Sequence, residues 1–192
     1  LTNVKKGIIE GNRIFECDRN AVFFSGSIEN IKLFNNLIYN NGASGLWCHQ
    51  VEKISRCRII NNTFYSNKGH FGGVFLMSRD IDDCIVRNNI FAVNNRVQLH
   101  VPYIEQAKFI EIDHNLFFGE NKNGYRGAQY IKEDPLFSGT QPGRENLKPK
   151  PGSPAVGAGT AEGAPGKDIE GNTRYEKRVT IGAYEIRQNI RE

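Results

Sequence analysis

No CxxC pair, HExxH word, GxSxG word or phosphate-cradling glycine loop occurs in this 192-residue chain. Their absence removes the zinc-site, metalloprotease, serine-hydrolase and nucleotide-binding readings that such words carry. No stretch is long and apolar enough to span a membrane. Basic and aromatic residues are not interleaved in a nucleic-acid pattern. Runs of one charge are missing as well, since 25 basic residues are interspersed with 21 acidic ones for a formal net charge of +4. That balance describes a solvated surface with a mild bias toward anionic partners. Neither a signal peptide nor a capping helix opens the sequence. An open solenoid end exposes core and strand edges, so this start points to coils upstream or to another subunit covering the end.

What is present is a repeat. The words IEGNRIF (9–15), LFNNLIY (33–39), IINNTFY (59–65), VRNNIFA (86–92) and IDHNLFF (112–118) share one pattern. Their anchoring residues Asn12, Asn36, Asn62, Asn89 and Asn115 are spaced 24, 26, 27 and 26 residues apart. A period in this range implies stacked units. Apolar residues alternate around each asparagine and are mostly β-branched or aromatic, which indicates strands rather than helices. Leucine-rich repeats share the period, but their leucine consensus is absent. The pattern predicts an all-β, right-handed parallel β-helix of about five coils, each with three short strands. A tight bend between strands needs a residue that tolerates the left-handed conformation, and asparagine does. Stacked coils would bring the amides roughly 4.8 Å apart, close enough for a hydrogen-bonded ladder.

The coils occupy residues 1–118, and the composition changes from Gly119. Residues 119–192 are rich in Gly and Pro and read as a terminal coil followed by a loop-rich C-terminal cap of the same domain. Asp and Glu in this part are expected to form turns. Cys57 and Cys84 both lie five residues before an anchoring asparagine, so they should stack on neighbouring coils facing inward. They read as buried reduced thiols behaving as small apolar residues. Side chains in register point in parallel rather than at each other, which disfavours a disulfide.

The asparagine repeat resembles the right-handed parallel β-helix families of pectate lyases, other polysaccharide lyases and related glycosidases. The words DPLF (134–137), PGSPAVGAG (151–159), DIEGN (168–172) and IGAYE (181–185) resemble the closing segment of many secreted bacterial β-helix proteins, where it closes the C-terminal end of the solenoid. The resemblance implies a secreted or cell-surface protein that acts on or binds a polysaccharide, of acidic type given the charge. It implies β-elimination on a uronate, with Arg or His as base and Ca²⁺ neutralising the carboxylate, as the chemistry of an active member. Neither the pectate lyase signature nor that of the polygalacturonases is recognisable here. A non-catalytic adhesin-like or structural cell-surface module is the alternative, because one scaffold hosts many functions.

In these families the substrate groove follows the outer face of the third strand of each coil. Alternation puts Val22, Leu46, Val74 and Val97 inward, leaving Phe23, Trp47, Phe75 and Gln98 outward as the expected substrate-binding row. The next outward row is Ser25, His49, Met77 and His100, and a one-residue slip would invert both. Aromatic rings offer flat partners to the C–H faces of sugars, while a covering loop or second chain accounts for the same column equally well. His49 and His100 titrate near neutrality and are candidate acid/base groups, roughly 9.6 Å apart by strand spacing. Arg79 and Asp80 complete the expected catalytic set, from the cluster Arg79, Asp80, Asp82 and Asp83 whose bland reading is a solvated turn. His70 lies in a loop that lengthens the third coil, and His114 replaces the asparagine ahead of an anchor, which reads as structural.

Overall fold

The computed structural model describes residues 1–187. The last five residues of the predicted cap, 188–192, lie outside the described residues. The chain winds into a parallel β-solenoid of four complete turns and the start of a fifth. The first sheet stacks Gly7–Glu10, Ile31–Phe34, Arg58–Ile60, Cys84–Arg87 and Ile110–Asp113. The second stacks Arg13–Phe15, Leu37–Tyr39, Thr63–Tyr65, Ile90–Ala92 and Leu116–Phe118. The third stacks Val22–Glu29, Leu46–Cys48, Val74–Leu76 and Leu99–His100. In the second and third turns this last strand breaks, and Lys53–Ser55 and Asp80–Asp82 continue beside the end of Val22–Glu29. The only helix among the described residues is one turn, Ile104–Gln106.

Period-two alternation fills the interior. Leu33, Ile59, Val86 and Ile112 line it from the first sheet, and Ile38, Phe64, Phe91 and Phe117 from the second. The three phenylalanines stack face to face with centroid spacings of 5.2 Å, nearly the strand repeat. Each buried Ile, Leu or Phe contributes about 1.5–3 kcal/mol before entropy is subtracted, so one coil alone is marginal and the stack is not.

The asparagine ladder is continuous and directional. The main-chain N–H and the Nδ2 of Asn12 both donate to Oδ1 of Asn36, at 3.0 Å each. Asn36 does the same to Asn62, Asn62 to Asn89, and Asn89 to Asn115. The left-handed bend falls one residue earlier than the sequence reading placed it. Gly11, Asn35, Asn61, Asn88 and His114 carry φ between 49° and 67°, whereas the ladder residues do not. Dividing the work has a reason: the corner residue turns the chain, and the next side chain is then free to aim along the stack.

A second ladder runs five residues on. Cys17 N–H donates to Asn41 Oδ1, Asn41 to Asn67, Asn67 to Asn94, and Asn94 to Oε1 of Gln98. Between this ladder and the third sheet the turns approach so closely that a Cβ on Gly73 would lie 1.8 Å from the Gln98 carbonyl oxygen.

Residues 119–131 continue the stack as a partial rung, pairing at Asp113 with Ala128 and at Leu116 with Ile131. The described remainder, residues 132–187, does not lie across the end of the solenoid, where the resemblance put it. It returns along the flank, over the outer face of the second sheet. Leu37, Tyr39, Ile90 and Leu116 there form a second apolar core with Phe137, Leu147, Ile181 and Tyr184 of the returning strap. The corner asparagines clip it in place: Nδ2 of Asn35 donates to Lys167 O, that of Asn61 to Thr180 O and Gly182 O, and that of Asn88 to Thr160 O. Arg174 is buried in the strap, paired with Glu185 at 3.1 Å and donating to Asn35 Oδ1 at 2.7 Å. Burial pushes the Arg174 guanidinium down and the Glu185 carboxyl up. Asp168 accepts the N–H groups of Glu170, Asn172 and Glu185, so the acidic residues of DIEGN and IGAYE organise turns and seal the strap.

Cys48, Cys57 and Cys84 are buried, and all four cysteines are free thiols. Cys57 and Cys84 occupy neighbouring rungs, one residue ahead of the paired Arg58 and Ile85. With Cys48 they line an apolar cavity of about 20 Å³ inside the solenoid.

Candidate functional site

The register of the third sheet aligns Phe23, Trp47, Phe75 and His100 in one outward row across four turns. Strand spacing brings the rings into contact: Trp47 and Phe75 centroids are 4.9 Å apart, and Phe75 and His100 are 5.5 Å apart with planes 7° from parallel. Phe23 begins the row with 42% of its surface exposed, and Trp47 is half-buried.

Phe75 points outward but is only 4% exposed, because the long third-turn loop folds back over it. Phe71 of that loop stacks on Phe75 at 4.4 Å and on His100 at 4.8 Å, nearly parallel to both. The outer surface of the row at this point is therefore Phe71. His70 stands edge-on to Phe71 at 4.7 Å.

Gln98 was expected in the outward row and is instead completely buried. It terminates the second ladder, accepting from Asn94 and donating through Nε2 to the carbonyls of Asn94 and Glu120. The strand of the fourth turn begins two residues later than alternation alone suggested, so Leu99 takes the inward place assigned to Val97. His100 consequently stands in the row of Trp47 and Phe75 rather than in that of His49. The correct register was legible in the spacing. Val22, Leu46 and Leu99 each follow an anchoring asparagine by ten residues, and Val74 by twelve, the difference being the extra loop residues of the third turn.

The remaining candidates are dispersed. His49 leans on Trp47 at 5.5 Å, and its Nδ1 is buried without a protein partner. Arg79 lies over the Tyr103 ring, 4.5 Å from its centroid. Asp80 receives Lys108 Nζ at 3.0 Å, and Asp83 pairs with Arg58 at 2.7 Å. Among the described residues, no hydrogen bond or ion pair joins any two of Arg79, Asp80, His49 and His100. Nor does any group of three or more His, Cys, Asp or Glu side chains there converge as metal ligands.

Beside His100 the surface opens into a cleft of about 250 Å³, walled by His70, Phe71, Arg96, His100, Lys122 and Asn123. Its floor is rigid, since Lys122 N–H donates to Arg96 O and Tyr125 N–H to Leu99 O, laying residues 122–125 against the fourth turn. Nδ1 of His100 lies 3.1 Å from Asn123 O. A carbonyl only accepts, so the His100 proton sits on Nδ1 and Nε2 is left as an acceptor. Burial pushes the His100 imidazole below its usual range, with the Asn123 hydrogen bond opposing it and the neighbouring His70 adding to it. Arg96 reaches His70 Nδ1 at 3.1 Å. A guanidinium only donates, so the His70 proton is directed to Nε2. Arg96 and Lys122 form no ion pair among the described residues. Sequence reading missed Phe71, Arg96 and Lys122 because they come from loops of three successive turns. The one signal was the length of the loop that carries Phe71.

The other charged cluster is on a different flank. Arg87, 4% exposed, donates to both carboxylate oxygens of Asp113 and to one of Glu111, and His114 Nδ1 lies 2.9 Å from Asp113 Oδ1. It ties the fourth and fifth strands of the first sheet to the strap through the Glu162 carbonyl.

Among curated proteins, none matches the chain. The model of a family described as "Right handed beta helix region" matches residues 1–131, which takes in every rung of the stack and the partial turn that ends it. With two amide ladders and stacked parallel sheets beneath that match, the chain belongs to the right-handed β-helix family.

Proposed function

We propose that this protein binds a polysaccharide along the outer face of its third sheet, as a carbohydrate-binding β-helix module at or beyond the cell surface. One observation carries the reading: an uninterrupted outward row of Phe23, Trp47, Phe75 and His100, with Phe71 laid over its end. Sugar rings present apolar C–H faces, and the accessible rings of this face, Phe23, Trp47 and the Phe71 that covers Phe75, offer successive flat contacts. The unpaired Arg96 and Lys122 at one end support an anionic ligand.

Binding without turnover is the reading that the side-chain partners favour. Arg79 is engaged with Tyr103 and Asp80 with Lys108, away from both histidines. A lyase-like activity on a uronate polymer, with His100 or Arg79 as base, is the second reading. The free Nε2 of His100 beside two cations is the observation in its favour.

Affinity electrophoresis against a panel of acidic and neutral polysaccharides tests the proposal. Retardation by at least one polymer is expected, and Trp47→Ala should weaken it by about tenfold, the equivalent of losing ~1.4 kcal/mol of ring contact. Unchanged mobility on every polymer would sink the reading, as would a Trp47→Ala variant that binds as well as the parent. The ultraviolet absorbance of an unsaturated sugar, developing on incubation with a uronate polymer, would move the conclusion to the second reading.

A further inference from the structure

We infer that the cleft formed by His70, Phe71, Arg96, His100 and Lys122 is a subsite for a single anionic group at one end of an otherwise uncharged glycan segment. The inference rests on the glycan-binding reading and sharpens it. A polyanion bound along a groove needs cations repeated along that groove. Here the outward row is Phe23, Trp47, Phe75 and His100, and the row beside it is Ser25, His49 and Met77. Neither row contains Lys, Arg, Asp or Glu. The nearby Arg79 is turned onto Tyr103, and Lys108 is occupied by Asp80.

Positive charge is concentrated instead at the end of the row. Arg96 and Lys122 face a cleft whose walls hold no carboxylate. Arg96 is oriented by its contact with His70, and that contact leaves the His70 Nε2–H as a further donor. Two cations and a donor around one small volume, backed by the Phe71 and His100 rings, fit one carboxylate or sulfate group. The rings raise the strength of that pairing by excluding water from one side. The segment 122–125 lies against the fourth turn where a fifth strand of the row would stand, so the cleft marks the end of the aromatic track. A ligand would be read in register: its anion at the cleft, its uncharged sugars on Phe71, Trp47 and Phe23.

Calorimetric titration with three trisaccharides of equal length tests this. The first is a galactose trimer, the second the same trimer with one terminal galacturonate, and the third a galacturonate trimer. The single carboxylate should tighten binding by about tenfold over the neutral trimer, and the two further carboxylates should add less than about twofold. Arg96→Gln with Lys122→Gln should abolish the gain, so that within the double variant the neutral and the singly charged trimers bind equally well. Both residues are exposed, so the double variant is expected to fold as the parent does. A sulfate ester in place of the terminal carboxylate distinguishes the two anions, and a gain from either supports the subsite. The inference is overturned if the gain survives in the double variant, or if the third trimer binds about tenfold tighter again. Should none of the trimers bind, the glycan reading fails by itself. Inorganic sulfate then tests the cleft alone, through the ring resonances of His70 and His100. Shifts that vanish in the double variant retain an anion site without a glycan, and no shift removes both.

Discussion

Asn62→Ala cuts the first amide ladder at its centre. Nδ2 of Asn62 donates to Leu33 O at 2.8 Å, Ile60 O at 3.2 Å and Asn89 Oδ1 at 3.0 Å. Its Oδ1 receives the main-chain N–H of Asn36 at 3.0 Å and Asn36 Nδ2 at 2.9 Å. Asn36 and Asn62 are both fully buried, so water cannot replace what the truncation removes. The Asn36 N–H and the Leu33 carbonyl lose these partners, and each buried orphan costs about 1–3 kcal/mol. With the small void added, the expected loss is about 3–5 kcal/mol, against a total stability of ~5–15 kcal/mol for a typical domain. For a chain of this size that is a fall of about 10 °C in melting temperature. Asn12→Ala is the internal control. Asn12 is exposed on the first turn and only donates, to Asn36 Oδ1 and Glu10 O, so its removal should cost less than ~1 kcal/mol. Urea unfolding of both variants, followed by circular dichroism, gives the comparison. If Asn62→Ala shifts the midpoint no further than Asn12→Ala, the ladder is not what holds the turns in register.

Asp113 provides a pH test. Burial raises its carboxyl, but hydrogen bonds from Arg87 and His114 outweigh that and hold it below the ordinary 3.8. A depressed folded value means that its stabilisation is complete above the ordinary value and is lost as pH falls through the folded one. Asp113→Asn should therefore cost most at neutral pH, with the gap from the parent closing below about pH 4. Unfolding midpoints measured across that range would contradict the assignment if the gap stays constant. The thiols provide an accessibility test. Burial pushes the Cys48 thiol up, and the Cys57 contact together with burial pushes Cys84 up, whereas Cys17 is partly exposed. A thiol-specific reagent should modify Cys17 alone in the native protein and all four after denaturation. Rapid native labelling of Cys48 or Cys84 would contradict the closed interior.

The solenoid was legible because its physics is periodic. A ladder asparagine must recur in every turn with apolar residues at fixed offsets, and five occurrences leave little freedom of interpretation. The second ladder was equally periodic at Asn41, Asn67 and Asn94, but its members lack a flanking apolar word to draw attention. Lateral placement was harder to read. Gln98 was misassigned because alternation gives only parity, and Val97 and Leu99 have the same parity. Only the fixed distance from the ladder separates them. The cleft was illegible for another reason: His70, Arg96 and Lys122 come from loops of three turns, and no local pattern links them. The strap's words pointed to closure, but which face they close depends on outward residues such as Leu37, Ile90 and Leu116. Those residues looked like ordinary strand positions until a second layer covered them.

The strap also sets an order of events in the life of the chain. Asn35 stays without its Arg174 partner until synthesis has advanced by 139 residues, and Asn61 waits 119 residues for the Thr180 carbonyl. Early turns leaving the ribosome are thus left with an uncovered apolar flank until the returning strap locks them. Contacts of such sequence separation make folding slow. Because the clips at Asn35, Asn61 and Asn88 grip three successive turns at once, peeling one turn from the end means loosening the whole fastening.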